Sequence, residues 1–364
     1  MEKNAKIYVA GHRGLVGSAI WKNLQEKGFR NLVGRSHQEL DLLDSVAVKN
    51  FFDAEQPEYV VLAAAYVGGI LANSRYRADF IYRNLQIQQN VIGESFRHGV
   101  KKLLFLGSTC IYPRDAEQPM KEDALLTSPL EYTNEPYAIA KIAGLKMCES
   151  FNLQYGTNYV AVMPTNLYGP NDNFHLENSH VLPAMMRKIY LADCLMKNDF
   201  ERIRQDMDRR PVENMNGSAS EARIRQLLFK YGIAEDCVTL WGTGTPLREF
   251  LWSEEMADAC VYIMEHVDFK DICGQGVDIR NCHINIGTGK ELTISALAEL
   301  IRKEVGYAGA VRFDATKPDG TMRKLTDVSK LHSLGWSHRI EIEDGVRCLF
   351  RWYLDDLKNR NSER

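Results

Sequence analysis

Near the amino terminus, residues 7–17 read IYVAGHRGLVG. The short apolar run predicts a β-strand, the three glycines predict a tight turn, and Ser18 to Lys27 has the pattern of a helix. Glycines let a backbone approach a pyrophosphate closely, and the amino end of a helix offers N–H donors. The stretch favours a dinucleotide site over a βα turn without a ligand, with contacts from Gly11, His12, Arg13, Gly14, Leu15, Val16 and Gly17.

Strand and helix patterns alternate through the first half of the chain. This alternation predicts an α/β fold with a doubly wound parallel sheet of the Rossmann type. Helices are expected at Ser74–His98 and Pro136–Tyr155. The expected strands are Lys6–Ala10, Asn31–Val33, Tyr59–Ala64, Lys102–Gly107 and Tyr159–Met163.

The run Pro164–Pro170 interrupts the alternation, so we place the main domain boundary there. Residues 1–170 form the predicted dinucleotide-binding domain, with a returning segment near 250–270. Residues 171–364 form a smaller α/β substrate domain. Within it, residues from about 192 to 236 are predicted to be a helical insertion with a flexible middle, either a solvated decoration or a lid.

The composition limits the classes of function. A net charge of −3 provides no field that favours nucleic acid, and no run is long and apolar enough for a membrane span. Eight cysteines occur without any Cys-x-x-Cys spacing, and the histidines are not clustered, so no metal site is expected. Reduced thiols and an amino terminus without a signal-peptide pattern predict a cytoplasmic protein.

Three side chains point to carbonyl or alcohol chemistry. Tyr137 and Lys141 lie four residues apart in a predicted helix and therefore share one face. An ammonium beside a phenol is expected to lower its pKa and make it a usable acid/base. Ser108 follows a predicted strand, at the sheet edge where ligands bind, and is placed to share a substrate oxygen with Tyr137.

The second strand carries information about the cofactor. Units that bind NAD place an acid at its end, whereas this chain has Arg35 there and Arg13 in the glycine loop. Forked guanidinium donors match the oxygens of a 2′-phosphate, so NADPH is predicted rather than NADH. Asp41, followed by Leu42, is placed to accept a hydrogen bond from the adenine amino group.

With these motifs, the chain resembles the extended short-chain dehydrogenase/reductases. Within them it closely resembles the GDP-4-keto-6-deoxy-D-mannose epimerase/reductase family. This chain departs from the family pattern at His37, where arginine is frequent, and in its longer insertion. The resemblance runs through Gly11–Ser18, Ala63–Ile70, Ala78–Tyr82, Leu103–Pro113, Glu135–Ala143, Met163–His180, Trp241–Phe250 and Lys317–Lys324.

The resemblance implies a bifunctional reaction. The substrate would be epimerised at C3 and C5 and then reduced by NADPH at C4, giving GDP-L-fucose. Cys110 would be the base and His180 the acid of the epimerisation. Without the resemblance, we would assign Cys110 to the core and His180 to an ordinary helix start. Tyr137 would protonate the C4 oxygen, with Ser108 and Lys141 assisting.

The resemblance also implies binding residues. For the GDP-sugar they are Lys188, Trp241, Arg248 and Asp319, of which Trp241 has the strongest alternative as a core residue. For the cofactor they are His37, Leu106, Gly107, Ser108, Thr109, Tyr137, Lys141, Pro164, Thr165, Asn166, Leu167 and His180.

Two other functions are weighed against this one. An NAD-dependent nucleotide-sugar epimerase or dehydratase of the same fold would not need the pair Cys110 and His180. A dinucleotide sensor without catalysis could lose Ser108, Tyr137 and Lys141, which are all present. By analogy of fold, a homodimer is expected through Ser74–His98 and Pro136–Tyr155.

Overall fold

The computed structural model describes residues 1–274, 278–317 and 319–358, with the backbone alone at residues 70 and 71. Pro318, in the compared segment Lys317–Lys324, and residues 359–364 of the second predicted domain lie outside the described residues. The chain divides into two compact units. Unit 1 comprises Met1–Leu167, Glu249–Lys290 and Lys324–Arg339; unit 2 comprises Tyr168–Arg248, Glu291–Arg323 and the chain from Ile340.

The strands are short and are numbered in chain order. They are β1 (Ile7–Ala10), β2 (Leu32–Val33), β3 (Tyr59–Leu62), β4 (Lys102–Leu106), β5 (Tyr159–Pro164), β6 (Asn166–Tyr168), β7 (Cys237–Trp241), β8 (Leu247–Arg248), β9 (Phe250–Trp252), β10 (Ile284–Ile286), β11 (Leu292–Thr293), β12 (Ala310–Asp314) and β13 (Arg323–Lys324).

The α-helices are numbered in the same way, and short 3₁₀ turns occur at Thr109–Ile111 and Glu122–Ala124. The helices are α1 (Leu15–Glu26), α2 (Ser45–Glu55), α3 (Ile70–Arg75), α4 (Arg77–Arg97), α5 (Glu135–Tyr155), α6 (Val181–Met196), α7 (Phe200–Arg209), α8 (Glu221–Lys230), α9 (Ser253–His266), α10 (Phe269–Ile272), α11 (Ile294–Val305), α12 (Ser329–Ser333) and α13 (Ile342–Lys358).

Unit 1 is built on a parallel sheet of six strands in the order β10-β5-β4-β3-β1-β2. From β1 the chain goes to one neighbour, β2, and then crosses to the other neighbour, β3. The order therefore reverses between β1 and β3, and in open α/β sheets ligands bind at the carboxyl ends of the strands beside such a point.

Both faces of this sheet are covered, which confirms the α/β doubly wound fold predicted from the sequence. Along β1, Ile7 and Val9 enter one apolar cluster with α1 and α9, whereas Tyr8 and Ala10 enter a second cluster on the opposite face. Successive side chains of a strand point to opposite faces, so continuously apolar strands require cover on both. The predicted helix Ser74–His98 is wrong in one respect, because α3 and α4 are separated at Tyr76.

Unit 2 combines helices with small sheets. Strands β7 and β12 pair in parallel, and β11, β8 and β13 pair in that order. A buried ion pair joins α6 to α7, since Arg187 donates to Asp206 through Nε (2.9 Å) and Nη2 (2.7 Å). The Tyr353 hydroxyl of α13 donates to the same carboxylate. A buried charge persists only when it is paired, so this cluster fixes the three helices together.

The insertion has bonded contacts throughout its middle, where the sequence predicted flexibility. Helices α7 and α8 fall within it. Between them, Val212 and Met215 form a bridge, and Arg204 Nη1 donates to the carbonyl oxygens of Gly217 and Ala219. The Gly217 N–H donates to Asp208 at 3.0 Å. Backbone groups bonded to a helix in this way have fewer accessible conformations than a free loop.

One buried acid organises several segments of unit 1. Glu249 has no exposed surface. Its Oε1 accepts from the N–H groups of Thr288 (2.6 Å) and Gly289 (2.7 Å) and from the Thr288 hydroxyl (3.4 Å). Its Oε2 accepts from the Thr326 N–H (3.0 Å) and hydroxyl. We refer to these four residues as the Glu249 cluster.

The Glu249 cluster lies where the chain passes between the units. The chain leaves unit 1 after Leu167 and after Lys290, and it returns at Glu249 and at Lys324. Beyond the cluster itself, the Glu249 carbonyl oxygen accepts from Asn166 Nδ2 at 2.9 Å. Glu249, which lies at one of these four passages, is therefore bonded to segments beside the other three.

Glu249→Gln is expected to destabilise the protein by about 3 kcal/mol, because the new NH₂ group would face N–H donors and leave them unsatisfied. This corresponds to a fall of roughly 5–10 °C in melting temperature by calorimetry. As a control, Glu299→Gln at the half-exposed pair with Arg302 is expected to change it by less than about 1 °C. A melting temperature of Glu249→Gln within 2 °C of the parent would contradict the role of the carboxylate.

Candidate active site

The glycine turn after β1 has room for backbone only. Gly11 has a φ of +85°, and a Cβ there would lie 2.8 Å from the Ala64 nitrogen. A Cβ on Gly17 would lie 2.0 Å from the Gly11 carbonyl oxygen. A side chain at Gly17 would force the start of α1 away from the end of β1, and one at Gly11 would collide with the backbone that follows β3. The sequence-predicted loop and the reversal in strand order therefore lie at one place.

The amino end of α1 is open to an anion. Gly14 occupies the N-cap and has no side chain with which to cap the helix. The turn is closed by backbone bonds from Gly14 N to Gly11 O (3.0 Å) and from Ser18 N to Gly14 O (2.9 Å). N–H groups at a helix start attract phosphate oxygens. Leu15 and Val16 belong to this first turn. Its N–H groups therefore suit a dinucleotide pyrophosphate.

His12 has a structural environment of its own. Its ring lies 5.3 Å from the Trp21 ring, and a Cβ on Gly34 would fall 2.6 Å from its Cγ. Burial and Arg13 lower its pKa, which favours the neutral imidazole. Its Nδ1 is buried without a partner in the described part of the chain.

Two positive groups and two acids lie near the end of β2. Arg35 Nη2 lies 2.5 Å from Glu55 Oε1, and Arg13 is exposed. Hydrogen bonds from Ser36 lower the pKa of Glu39, and the charges of Arg13 and Arg35 lower it further. Sequence reasoning missed Glu55 and Glu39. It had no signal for Glu55, which lies twenty residues beyond Arg35 at the end of α2.

The remaining predicted residues of this region lie on the loop before α2. His37 is largely exposed, and its Nδ1 lies 3.6 Å from Asp41 Oδ1. That same oxygen accepts from the Leu43 N–H at 2.9 Å. The Leu42 carbonyl oxygen accepts from Asn90 Nδ2 at 2.8 Å, which ties the loop to α4.

The carboxyl end of β4 leads directly into the candidate catalytic residues. A Cβ on Gly107 would lie 2.2 Å from Met163 Sδ, so a larger residue here would have to displace the Met163 side chain. Ser108 caps the turn Thr109–Ile111, with its Oγ accepting from the Cys110 N–H at 3.3 Å. Leu106 is the last residue of β4. Gly107, Ser108 and Thr109 follow it at the carboxyl end of the strand, where the sequence predicted them.

Tyr137 and Lys141 lie in the first two turns of α5, where Pro136 suits the helix start. Lys141 Nζ is buried, donates to the Leu106 carbonyl oxygen (2.7 Å) and lies 5.7 Å from the centre of the Tyr137 ring. Burial lowers the pKa of Lys141 to about 8. Burial and Cys110 raise the pKa of Tyr137, so the expected lowered pKa is wrong for this structure, in which burial is the largest effect.

Cys110 is a buried thiol with cations around it. Burial raises its pKa, while Lys324, a hydrogen bond with Ser108 and the charge of Lys141 partly offset that effect. A thiolate requires such positive neighbours. In the sequence, Lys324 stands out only as the last residue of the family-like segment Lys317–Lys324. No local pattern indicates that it lies near Cys110.

The carboxyl end of β5 completes the cofactor side of unit 1. Pro164 ends the strand, and the Thr165 N–H donates to the Ile286 carbonyl oxygen at 2.9 Å. Asn166 is held by its bond to the Glu249 carbonyl oxygen, and Leu167 packs against the apolar cluster of α1 and α9.

Two predicted residues of unit 2 lie on α6. His180 is its N-cap residue, is exposed, and has its pKa lowered by partial desolvation. Lys188 is buried, which lowers its pKa to about 8 against the opposing charge of Glu177. A lysine held in this way remains an available cation near neutral pH.

The other predicted substrate residues follow β7 and β8 in unit 2. Trp241 is 54% exposed, so the alternative that it belongs to the core is wrong. Asp319 accepts from Thr243 through both carboxylate oxygens, at 2.9 and 2.7 Å, and so fixes the turn after Trp241. Burial lowers the pKa of Arg248, while Asp319 raises it.

Two kinds of site are absent from the described residues. No group of histidine, cysteine and acidic side chains there could hold a metal ion, and the eight cysteines are unpaired. In those same ranges no helix has both the length and the apolar composition that a bilayer crossing requires.

Comparison with known proteins identifies relatives of this chain. The chain is 51% identical to GDP-L-fucose synthase 1 of Arabidopsis thaliana over 99% of this chain and 96% of that protein. It is 48% identical to GDP-L-fucose synthase of Escherichia coli (strain K12), over 96% of this chain and 97% of that protein. A GDP-mannoheptose C4 reductase from Campylobacter jejuni with NADP bound has a similar structure (TM-score 0.85, 45% identity, 97% of this chain and 99% of that chain).

The sequence matches the family of NAD dependent epimerases and dehydratases over residues 7–208 and 211–287. These matches confirm the resemblance that the motifs indicated. The chain belongs to the NAD dependent epimerase/dehydratase family, in the branch that includes the GDP-L-fucose synthases.

Proposed function

We propose that this protein converts GDP-4-keto-6-deoxy-D-mannose to GDP-L-fucose, by epimerisation at C3 and C5 followed by NADPH-dependent reduction at C4. The observation that carries the proposal is the placement of the thiol of Cys110 beside Ser108, Tyr137 and Lys141, at the sheet edge that also holds the glycine loop. A plain reductase needs the last three residues and has no use for the thiol.

The substrate ketone makes epimerisation accessible to weak bases. A carbonyl at C4 acidifies the hydrogens on C3 and C5, because each carbanion is stabilised as an enolate. Cys110 removes a proton, and His180 returns one to the opposite face of the carbon. The lowered pKa of His180 makes its imidazolium a stronger acid. Ser108 donates a hydrogen bond to the C4 oxygen and stabilises the enolate.

Reduction uses the raised pKa of Tyr137. When bound, NADPH supplies the hydride that C4 receives. Tyr137 remains a neutral phenol near neutral pH and can therefore donate its proton to the forming alkoxide. The charge of Lys141 then stabilises the phenolate that is left, from a position fixed by the Leu106 carbonyl oxygen.

Two arginines support the preference for NADPH. Arg13 and Arg35 both act on the Glu39 carboxylate, so their positive charges are near one another. Glu55 binds one amino group of Arg35 and orients the rest of the guanidinium. We infer that the pair binds the 2′-phosphate, with Asp41 facing the adenine.

The GDP portion is assigned to unit 2. Lys188 and Arg248 are the cations for the pyrophosphate. The exposed ring of Trp241 offers a stacking surface for the nucleotide, and Asp319 holds the turn that follows it. The exposure of Trp241 and the charges of Lys188 and Arg248 support these roles.

We also propose a homodimer through α4 and α5. Large apolar side chains stand exposed on both helices, with Tyr82 at 68%, Leu153 at 49% and Tyr155 at 53%. Burying such a patch is the common reason for its existence. Sedimentation equilibrium is expected to give twice the chain mass, and Leu153→Glu should shift the population toward monomer. A monomeric parent protein would contradict the proposal.

We place the protein in the cytoplasm, because eight unpaired thiols fit a reducing compartment. Fractionation of cells that express it, followed by immunodetection, tests the assignment. Recovery from an extracellular or membrane fraction would contradict it.

The function is tested by incubating the protein with GDP-4-keto-6-deoxy-D-mannose and either NADPH or NADH. The expected product co-elutes with GDP-L-fucose and forms faster with NADPH. A reduced D-sugar would indicate a C4 reductase, like the Campylobacter jejuni relative. Product formation without oxidation of either cofactor would indicate an NAD-dependent epimerase or dehydratase. Tight NADPH binding with no turnover would support the sensor alternative.

Cys110→Ser is expected to lower the rate of GDP-L-fucose formation by about 100-fold or more, because the base is a thiolate and a hydroxyl ionises far less readily than a thiol. Tyr137 and Lys141 remain, so the variant should still bind NADPH. Cys148→Ser makes the same change at another buried thiol of unit 1 and should retain activity within about threefold. Equal rates in Cys110→Ser and Cys148→Ser would contradict the role of Cys110 as base.

The pH dependence of hydride transfer should report Lys141. Its pKa is lowered to about 8, so the stabilising charge is present below that pH and is lost above it. Tyr137, whose pKa is raised, stays protonated throughout. Single-turnover oxidation of NADPH is therefore expected to slow by about tenfold per pH unit above pH 8. A rate that stays constant to pH 10 would contradict this role of Lys141.

A further inference from the structure

The segment that leads into α6 is ordered by its own polar groups. Between Gly169 and His180 the chain forms no helix or strand. The side chains of Phe174 and Leu176 are nevertheless buried, at 2% and 4% exposure. His180 follows as the N-cap of α6, with extended backbone angles and no capping bond from its side chain. Its imidazole is therefore placed by the course of the preceding backbone.

The ring of His175 closes this segment. Its Nδ1 accepts hydrogen bonds from the N–H groups of Glu177 (3.2 Å) and Asn178 (3.1 Å). A ring nitrogen accepts only when it carries no proton, so the bonds select the tautomer with hydrogen on Nε2. The two bonds hold the backbone in a tight turn, as an asparagine side chain does in an Asx turn.

The backbone of His175 is held as well. Its N–H donates to Asn173 Oδ1 at 3.0 Å, and its carbonyl oxygen accepts from Ser179 Oγ at 2.6 Å. Ring, N–H and carbonyl thus each bind a different neighbour. Ser179 immediately precedes His180, so these bonds hold the backbone up to the residue before His180.

Both sides of the turn are anchored in the interior of unit 2. Arg187 Nη1, on α6, donates to the Phe174 carbonyl oxygen at 3.1 Å. Leu182, in the first turn of α6, has no exposed surface. Between these anchors the side chain of Leu176 is also buried, and the bonds made by His175 hold the backbone on both sides of it.

We propose that His175 is a positioning residue for His180: its unprotonated Nδ1 fixes the turn that places the His180 imidazole for proton return during epimerisation. His175 itself contacts no reacting atom. This inference rests on the proposed function, in which His180 is the acid. A misplacement of about 1 Å in a catalytic group can cost about 100-fold in rate.

The test uses a matched pair of variants. Asn Oδ1 and His Nδ1 are both one bond beyond Cγ, so His175→Asn keeps the acceptor, whereas His175→Leu replaces it with a methyl group. A control is Asn216→Leu, which removes a similar turn in the insertion, where Asn216 Oδ1 accepts from the Ser218 N–H and hydroxyl. The readout is the uptake of solvent deuterium at C3 and C5.

His175→Leu is expected to slow deuterium uptake at least tenfold. His175→Asn and Asn216→Leu are expected to stay within about threefold of the parent. Parental uptake in His175→Leu, or equal losses of uptake in the two His175 variants, would overturn the inference. A parent protein that exchanges no deuterium would refute the proposed function, and this inference with it.

Discussion

The Glu249 carboxylate is buried without exposed surface, and five hydrogen-bond donors from Thr288, Gly289 and Thr326 converge on it. A carboxylate removed from water must keep such partners, since an unpaired buried charge is strongly destabilising. The segments that carry the donors therefore have to meet at one point.

That meeting point also constrains the site residues beside it in the chain. Asn166 binds the Glu249 carbonyl oxygen, Arg248 directly precedes Glu249, and Lys324 lies two residues before Thr326. These three side chains are assigned to cofactor, substrate and the surroundings of the Cys110 thiol. The residues of the Glu249 cluster are thus close in the chain to, or bonded through the backbone to, side chains with three separate assigned roles.

In the candidate site, burial outweighs the nearby charges. It lowers the pKa of Lys141 and raises those of Tyr137 and Cys110 against the cations beside the thiol. Each shift favours the neutral form, as expected where protein has displaced water. A neutral phenol suits proton donation, whereas the thiol depends on Lys324 and Lys141 for its reactivity. Epimerisation therefore needs the charged form of Cys110, whereas reduction needs the neutral form of Tyr137, within one small region.

The sequence predicted those features whose signals are local. The glycine turn, the strand ends before Gly11 and Ser108, and the helix of Tyr137 and Lys141 each follow from spacing within a few residues. The break at Tyr76 could not be predicted, because α3 and α4 together have one continuous helical pattern.

Long-range partners were not predictable. Glu55 binds Arg35 from the far end of α2, and Thr326 reaches Glu249 from 77 residues away. The effect of burial on the pKa of Tyr137 depends on packing that spacing does not reveal. Trp241 was weighed as a core residue because aromatic side chains at strand ends commonly are, but the turn held by Asp319 leaves its ring exposed.

The central claim is that one protein performs both proton exchange and hydride transfer on the same sugar. The most direct measurement is the NMR spectrum of the product formed from GDP-4-keto-6-deoxy-D-mannose and NADPH in deuterated water. The account predicts GDP-L-fucose with solvent deuterium at C3 and C5 and none at C4. A reduced D-sugar with protium at C3 and C5 would contradict it, because Cys110 and His180 would then have exchanged no proton.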